Sequence, residues 1–519
     1  MFNRKNSSEE VSNNFVKNVV KIQDQNILSV DRGRMMHAPV ICFYTKLIKQ
    51  KYKYNSIVLS DSINGSQNVK SKNLFKKFGF NRFIKGFSYY LFFVNPLMFI
   101  KALILTIKII FLIKKNGQDW FVNRYKFNNI RIGDLIHDYY IRFGNGYLKT
   151  KVDIKFTNIL FKAIVRVLNI SNIIESEKIK YIIVGTETYA HNDAIALRLG
   201  LDKKIPVIEP DDLSLGFYKY SKRSISHGKF RVSDSINIKF EKNISKINKF
   251  LKNRFLGKTK AIHSGTHILK KTNKKSKYIT RSNFLKKFSM NNSEIKKIVL
   301  FSCHALTDAN HAWGNNFLFL NYYTHLKETL KFVNKINNPN VLWLIKPHPT
   351  TLNPEEFGQI QYLVKKFNNK KIIVPPKNMM SYNLTNICDN VITGRGTVGM
   401  EFACLGKYPI TVGSSIYSNL GFSLEFKNKK KYFKQLENIE MIGKLPEEKI
   451  LLAKQTLYYL DNGFDPFSDQ NSITSEEKIL LKSQKFIADR NFLLKNLKNN
   501  SDTMDFKNNK FTDFLLTKI

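Results

Sequence analysis

The stretch that decides the fold runs from Val341 to Ile410: VLWLIKPHPT (341–350), a polar interval, KIIVPP (371–376), a second interval, then CDNVITGRGTVGMEFACLGKYPI (388–410). Three short apolar runs, 341–345, 372–374 and 390–393, each stop at a Pro, Gly or charged cluster, with helix-length segments between them. That alternation is the pattern of buried parallel strands joined by crossover helices. In such sheets ligands sit beyond the carboxyl ends of the strands. Lys346, His348 and Pro349 follow one strand; Thr393, Gly394, Arg395, Gly396 and Thr397 follow another and open a helix near Val398.

The chemistry of these two loops favours an anion. Gly394 and Gly396 let the backbone turn tightly and approach a ligand, helix amides point outward with the positive end of the dipole, and Lys346, His348 and Arg395 add donors and charge. A sugar nucleotide's phosphate is the simplest guest. Glu401, about one turn into the helix, suits ribose or sugar hydroxyls. The plainer reading stays open: two glycines that only shape a turn, and a solvated Glu401.

KPHP (346–349), TGRGTVGME (393–401) and GKYPIT (406–411) together resemble the bacterial capsule polysaccharide biosynthesis glycosyltransferases, whose best-known relatives transfer Kdo from its CMP-activated form. GSSIYSNLGFS (413–423) is similar to that family's Gly-x-x-x-Tyr-x-x-x-Gly loop, and FSCHALTDANHAWG (301–314) with FLNYYTHLKETL (319–330) to its first C-domain strand, Asp-containing loop and helix. IRIGDLIHDYYIRFG (130–144) and IIVGTETYAHNDAIALRLG (182–200) resemble N-domain blocks of related surface-carbohydrate transferases. Arg395 and Phe402 depart from the pattern.

The resemblance implies an α/β chain of two Rossmann-like domains facing across a cleft (GT-B-like) with C-terminal helices. Its expected activity is nucleotide-sugar-dependent glycosyl transfer, of Kdo or another acidic sugar from a CMP donor, to a lipid-linked or growing surface glycan. Lys346, His348, Pro349, Thr393, Gly394, Arg395, Gly396, Thr397 and Glu401 would bind the donor. No metal is required if the cations and helix dipole neutralise the leaving phosphate, and no cofactor is expected beyond the nucleotide-sugar substrate. A CDP-glycerol-type glycerophosphotransferase, a UDP-sugar 2-epimerase and a non-catalytic membrane-surface protein of glycan assembly are the rival readings.

Candidate catalytic groups stand after other strands. Glu187 and Asp193 follow the run 181–184, and a carboxylate there can deprotonate an acceptor hydroxyl; Asn192 or Asp193 reads equally as an N-cap. His304 and Asp308 follow the first strand of the stretch KKIVLFSCHALTDANH (296–311) and face the crevice of Lys346 and His348. Asp134 and Asp138, four apart on a helix that also carries His137, share a face and with His191 are candidates for the acceptor. Asp31, Arg32 and Gly33, and Glu209, Asp211 and Asp212, follow two further strands.

At 519 residues two domains are the default, and 43% hydrophobic content with 41 Phe supports packed cores. The boundaries read as a disordered N-terminus (1–25), an acceptor domain (26–247), a basic linker or loop (248–292), a nucleotide-sugar domain (293–465) and C-terminal helices with a tail (466–519). The formal charge of +45 is spread over the whole chain, which fits general surface charge or attraction to anionic lipid. No RNP-type aromatic-basic pattern supports nucleic acid. Cys42, Cys303, Cys388 and Cys404 lack metal or redox spacing and suit buried thiols of a reducing cytosol.

The N-terminal segment has no apolar h-region, so a cytoplasmic protein is expected, at most peripheral at the inner face of the plasma membrane. The run 96–115 is the most apolar. Asn95 and Pro96 start it well, and Lys101, Lys108 and Lys115 recur on one face. It reads as a core helix, a helix lying on a membrane, or a span made costly by its lysines.

Overall fold

A computed structural model describes residues 24–33, 37–60, 66–144, 152–211, 215–222, 224, 231–234, 238, 240–255, 279–311, 317–348, 354–376, 379, 381–462, 477, 480–481, 483–499 and 509–519. Pro349, Asp212 and most of the expected basic loop (256–278) lie outside the described residues, as does 1–23 of the expected disordered N-terminus.

The first domain is built on β1 (Asn26–Asp31), β2 (Asn55–Ser60), β3 (Phe83–Lys85), and, after a small antiparallel pair β4 (Lys126–Phe127) and β5 (Ile130–Arg131), on β6 (Ile179–Ile183), β7 (Val207–Pro210) and β8 (Phe217–Lys219). Its sheet has the order β3-β2-β1-β6-β7-β8, parallel except for β8. The second domain uses β9 (Lys297–Ser302), β10 (Val341–Lys346), β11 (Ile372–Ile373), β12 (Asn390–Thr393), β13 (Pro409–Thr411) and β14 (Leu424–Glu425) in the order β11-β10-β9-β12-β13-β14, parallel throughout. Counted within each domain, both sheets read 3-2-1-4-5-6, the doubly wound Rossmann order. The chain is therefore an α/β protein of two Rossmann-like domains.

Strand periodicity explains the layers. In β9, Val299 and Phe301 join one apolar cluster while Ile298 and Leu300 join another on the opposite face; in β10, Val341, Trp343 and Ile345 alternate with Leu342 and Leu344 in the same way. In β1, Leu28 and Val30 face the helices Pro96–Asn116, Ile154–Ser176 and Asn192–Asp202, and Ile27 faces Ala38–Tyr52. All four cysteines are buried free thiols.

Two boundaries change. The second domain begins before 248: Val232 and the helix Ile244–Phe255, through Ile247 and Leu251, pack with Glu447–Asn462, and within 248–292 Phe284 and Leu285 of the helix Arg281–Lys286 are fully buried under the second sheet. These ends of the expected linker are second-domain structure, because both carry an apolar stripe that needs a core. The helices Gln484–Lys498 and Lys510–Lys518 cross back and put Phe486, Leu493, Phe514 and Leu515 into the first-domain cluster around Ala38–Tyr52. Leu493→Ala, at a site with 0% exposure, should lower unfolding stability by about 2–5 kcal/mol, read by denaturant titration. An unchanged midpoint would mean that these helices add nothing to the first domain.

Candidate functional site

In the second sheet β9 and β12 are neighbours whose following chains depart to opposite sides, the switch point where a crevice opens. The turn after β12 is stapled to the one after β9. His304 Nε2 accepts the Arg395 N–H (3.2 Å) and lies 3.3 Å from Thr393 Oγ1, which accepts the Gly396 N–H (3.1 Å). A ring nitrogen that accepts a backbone N–H carries no proton, so the neutral imidazole holds its proton at Nδ1. Burial, then the charges of His348 and Arg395, lower the His304 pKa to about 3.

Crowding selects the glycines. A Cβ on Gly394 would stand 3.0–3.2 Å from Phe317, Tyr322 and His304, and one on Gly396 would meet Thr393 Oγ1 at 2.8 Å. Tyr417, fully buried in the Gly413–Gly421 loop, donates to the Gly396 carbonyl (2.9 Å) from the other side. The helix beyond is only Val398–Ala403, and Thr397 makes no capping bond. The expected dipole contribution is therefore small, since few peptide units align.

Cationic groups converge here. Arg395 is 7% exposed and lies 5.3 Å from the Phe317 ring, yet Nε and both terminal nitrogens have no hydrogen-bond partner among the described residues. Burial lowers its pKa. A buried guanidinium left unpaired costs several kcal/mol, a deficit that a bound carboxylate or phosphate removes. Arg231, buried and donating to Ser414 Oγ (2.8 Å), adds a second positive charge. Lys346 ends β10, its ammonium lowered to about 8 by burial against the opposing pull of Glu401. The His348 ring is parallel to that of His304, with centroids 6.4 Å apart, and burial lowers its pKa while Asp308 and Glu356 oppose. Buried Glu356 accepts the N–H groups of Leu306 (3.2 Å) and Thr307 (3.1 Å), fixing the loop that presents exposed Asp308.

The facing domain separates residues the sequence groups together. Asp134 and Asp138 do not act as a pair. Asp134, with 0% exposure, binds Arg198 through both oxygens (2.6 and 2.8 Å) and also pairs with Arg131, so it serves the core. Asp138 instead reaches the second domain, accepting the His311 N–H (2.9 Å) and lying 2.8 Å from His311 Nδ1. Burial raises the Asp138 pKa, but His311 and His137 outweigh it and hold the carboxyl well below its usual range. Asp193 is fully buried and its Oδ1 accepts the Gly185 N–H (2.7 Å), which makes it a loop clamp; a catalytic carboxylate would have to reach the cleft. Glu401 is turned from a ribose role by Arg254, which donates to its Oε1 at 3.0 and 3.2 Å.

Glu187 remains half-buried beyond β6. Tyr220 donates to its Oε2 (3.1 Å) and also contacts Glu209, and burial, then Glu187 and Glu209, hold the phenol well above its ordinary pKa. Buried His191 packs among the rings of Tyr139 (5.0 Å), Phe143 (5.8 Å) and Tyr189 (6.3 Å). Tyr189 has φ +64°, a left-handed conformation unusual for an aromatic residue. Its phenol is pushed up to about 12 by burial and by Asp308 across the cleft. Asp31 accepts the Gly33 N–H (2.8 Å) and the Ser71 hydroxyl (2.6 Å), a loop-forming role. Among the described residues His137, Asp138 and His311 bring ligand atoms within 4.8 Å of one another. That group already joins the domains by hydrogen bonds. Arg231, Tyr322, His311, Glu356 and Tyr417 carried no sequence signal of their own; Tyr322, His311 and Tyr417 stood in family-like stretches, Arg231 and Glu356 outside them.

No family model matches the chain, and no curated protein matches it. Solved structures similar to it include UDP-GlcNAc 2-epimerase from Neisseria meningitidis bound to UDP-GlcNAc (14% identity, 88% of this chain and 98% of that one, TM-score 0.22). A second is a KpsC β-Kdo 2,4-transferase from Thermosulfurimonas dismutans (12%, 54% and 80%, TM-score 0.30). A third is a glycosyltransferase from Rickettsia africae (12%, 96% and 98%, TM-score 0.24). Superpositions this loose carry no weight for activity, and the fold rests on the two strand orders.

His137, His304, His325 and His348 all have lowered pKa values. For such groups the unfolded chain binds protons first on acidification, so stability is complete above the unfolded pKa near 6.5 and falls as pH drops toward the folded values. His304→Gln should shallow this acid dependence of the unfolding midpoint by close to one proton; an unaltered slope would show that His304 titrates normally. Asp138→Ala, which removes both hydrogen bonds to His311, should destabilise the protein by about 1–3 kcal/mol in calorimetry, and a negligible change would show that the interdomain pair is idle.

Proposed function

We propose that the protein is a glycosyltransferase that moves a sugar from a nucleotide donor to a growing capsule or surface polysaccharide, with an acidic sugar such as Kdo on a CMP carrier as the fitting donor. The observation that carries this reading is the buried, unpartnered guanidinium of Arg395 at the β9/β12 switch point, with Arg231 beside it, His348 across His304 and Lys346 next to His348. An anionic leaving group supplies the hydrogen bonds Arg395 lacks, and a largely enclosed site strengthens them. The guanidinium N–H groups of Arg395 and the neighbouring cations stabilise the charge that develops as the glycosyl–oxygen bond breaks. As the acceptor oxygen bonds the anomeric carbon, its proton passes to a carboxylate. Half-buried Glu187 and exposed Asp308, on facing domains, are the candidates left once Asp193 and Glu401 are assigned to Gly185 and Arg254.

The test is incubation of the purified chain with labelled CMP-, UDP- and GDP-sugars and CDP-glycerol, with a lipid-linked glycan acceptor. Transfer from one nucleotide sugar should fall by about a hundredfold or more in Arg395→Gln and His348→Ala. The donor's affinity should also weaken as pH rises through about 8, where Lys346 loses its proton. Transfer from CDP-glycerol alone would reassign the enzyme to glycerophosphate transfer, and a folded protein inert to every donor would end the enzymatic reading.

A further inference from the structure

The helix Pro96–Asn116 is divided lengthwise. Met98, Ala102, Ile109 and Ile113 are buried in the first-domain cluster, packed with the helix Ile154–Ser176. At about 100° per residue, Leu97, Ile100, Ile104, Ile107 and Phe111 fall on the opposite side, and they are 51–76% exposed. Of the twenty-one exposed large hydrophobic residues among those described, eleven lie between Tyr89 and Phe111. They therefore form one patch, where scattered surface residues would need no explanation. Tyr89 and Tyr90 stand at one end of it, and Lys101, Lys108 and Lys115, each exposed, run along its edge.

We infer that this face docks the protein onto an anionic lipid bilayer, with the helix lying in the plane of the interface. Three observations select that occupant. The exposed face is apolar beside a cationic row, the division of an interfacial helix, and aromatic residues at its end suit the headgroup layer. The helix itself carries Lys101, Lys108, Lys114 and Lys115 and no acidic residue, so its charge is complementary to negative headgroups. A second copy meeting this face with the two helices antiparallel would set the lysine rows against each other, and the helix has no acidic residue to balance them. The helix lies flat because its other side is held by the protein's own core, so lipid cannot surround it.

The test is flotation of the purified full-length chain with vesicles of phosphatidylcholine alone or mixed with phosphatidylglycerol. The readout is partition, which requires no catalytic activity. The protein should float with the anionic vesicles only, I104E/I107E should abolish this, and K101Q/K108Q/K115Q should weaken it about a hundredfold. Circular dichroism and the thermal midpoint check both variants. Should I104E/I107E misfold, the lysine variant, which touches no apolar contact, decides the outcome. Absence of partition, partition equal in wild type and variants, or a wild-type dimer that I104E/I107E splits without lipid binding would each overturn the inference.

Discussion

A neutral imidazole governs the second domain. His304 can accept the Arg395 amide and lie against Thr393 only while Nε2 is unprotonated, and the stacked Tyr322 ring, 4.3 Å away, keeps water from one of its faces. With Tyr417 gripping the Gly396 carbonyl, the turn is held from both sides. That rigidity forces the Arg395 side chain inward over Phe317, where a solvated arginine would otherwise extend into water. The cost of a buried, unsatisfied cation is tolerable because the backbone around it is fixed by several independent bonds.

The two domains bring different chemistry to the cleft. The second offers Arg395, Arg231, Lys346 and His348; the first offers Glu187, the Tyr220–Glu209 contact and the rings around His191. Helix Gly133–Gly144 spans the boundary: Ile141 joins the second-domain cluster, Asp138 takes His311, and Arg142 approaches Thr307 at 3.5 Å. Relative motion of the domains must work against these buried hydrogen bonds. The helix is thus the element through which movement in one domain reaches the loop bearing Asp308.

Much of this was legible in the chain. The runs 341–345 and 390–393 are continuous, β-branched and bounded, as buried parallel strands must be, and residues after neighbouring strands had to meet; hence His304 and His348 come together. Side-chain partners were not legible, because they are fixed by tertiary packing. Asp134 finds Arg198 across 64 positions and Glu401 finds Arg254 across 147, and no local pattern distinguishes these carboxylates from Glu187. The glycine loop was recognised for its flexibility, whereas in the structure the surrounding side chains leave little room for a Cβ there.

The return of Gln484–Lys498 and Lys510–Lys518 to the first domain has a consequence for biogenesis. During synthesis the surface around Phe43 and Phe75 stays uncovered until residues beyond Phe514 have left the ribosome, long after the rest of that sheet has been made. The N-terminal half must wait, partly open, while the entire second domain is translated. That interval of exposed apolar surface follows from chain topology alone.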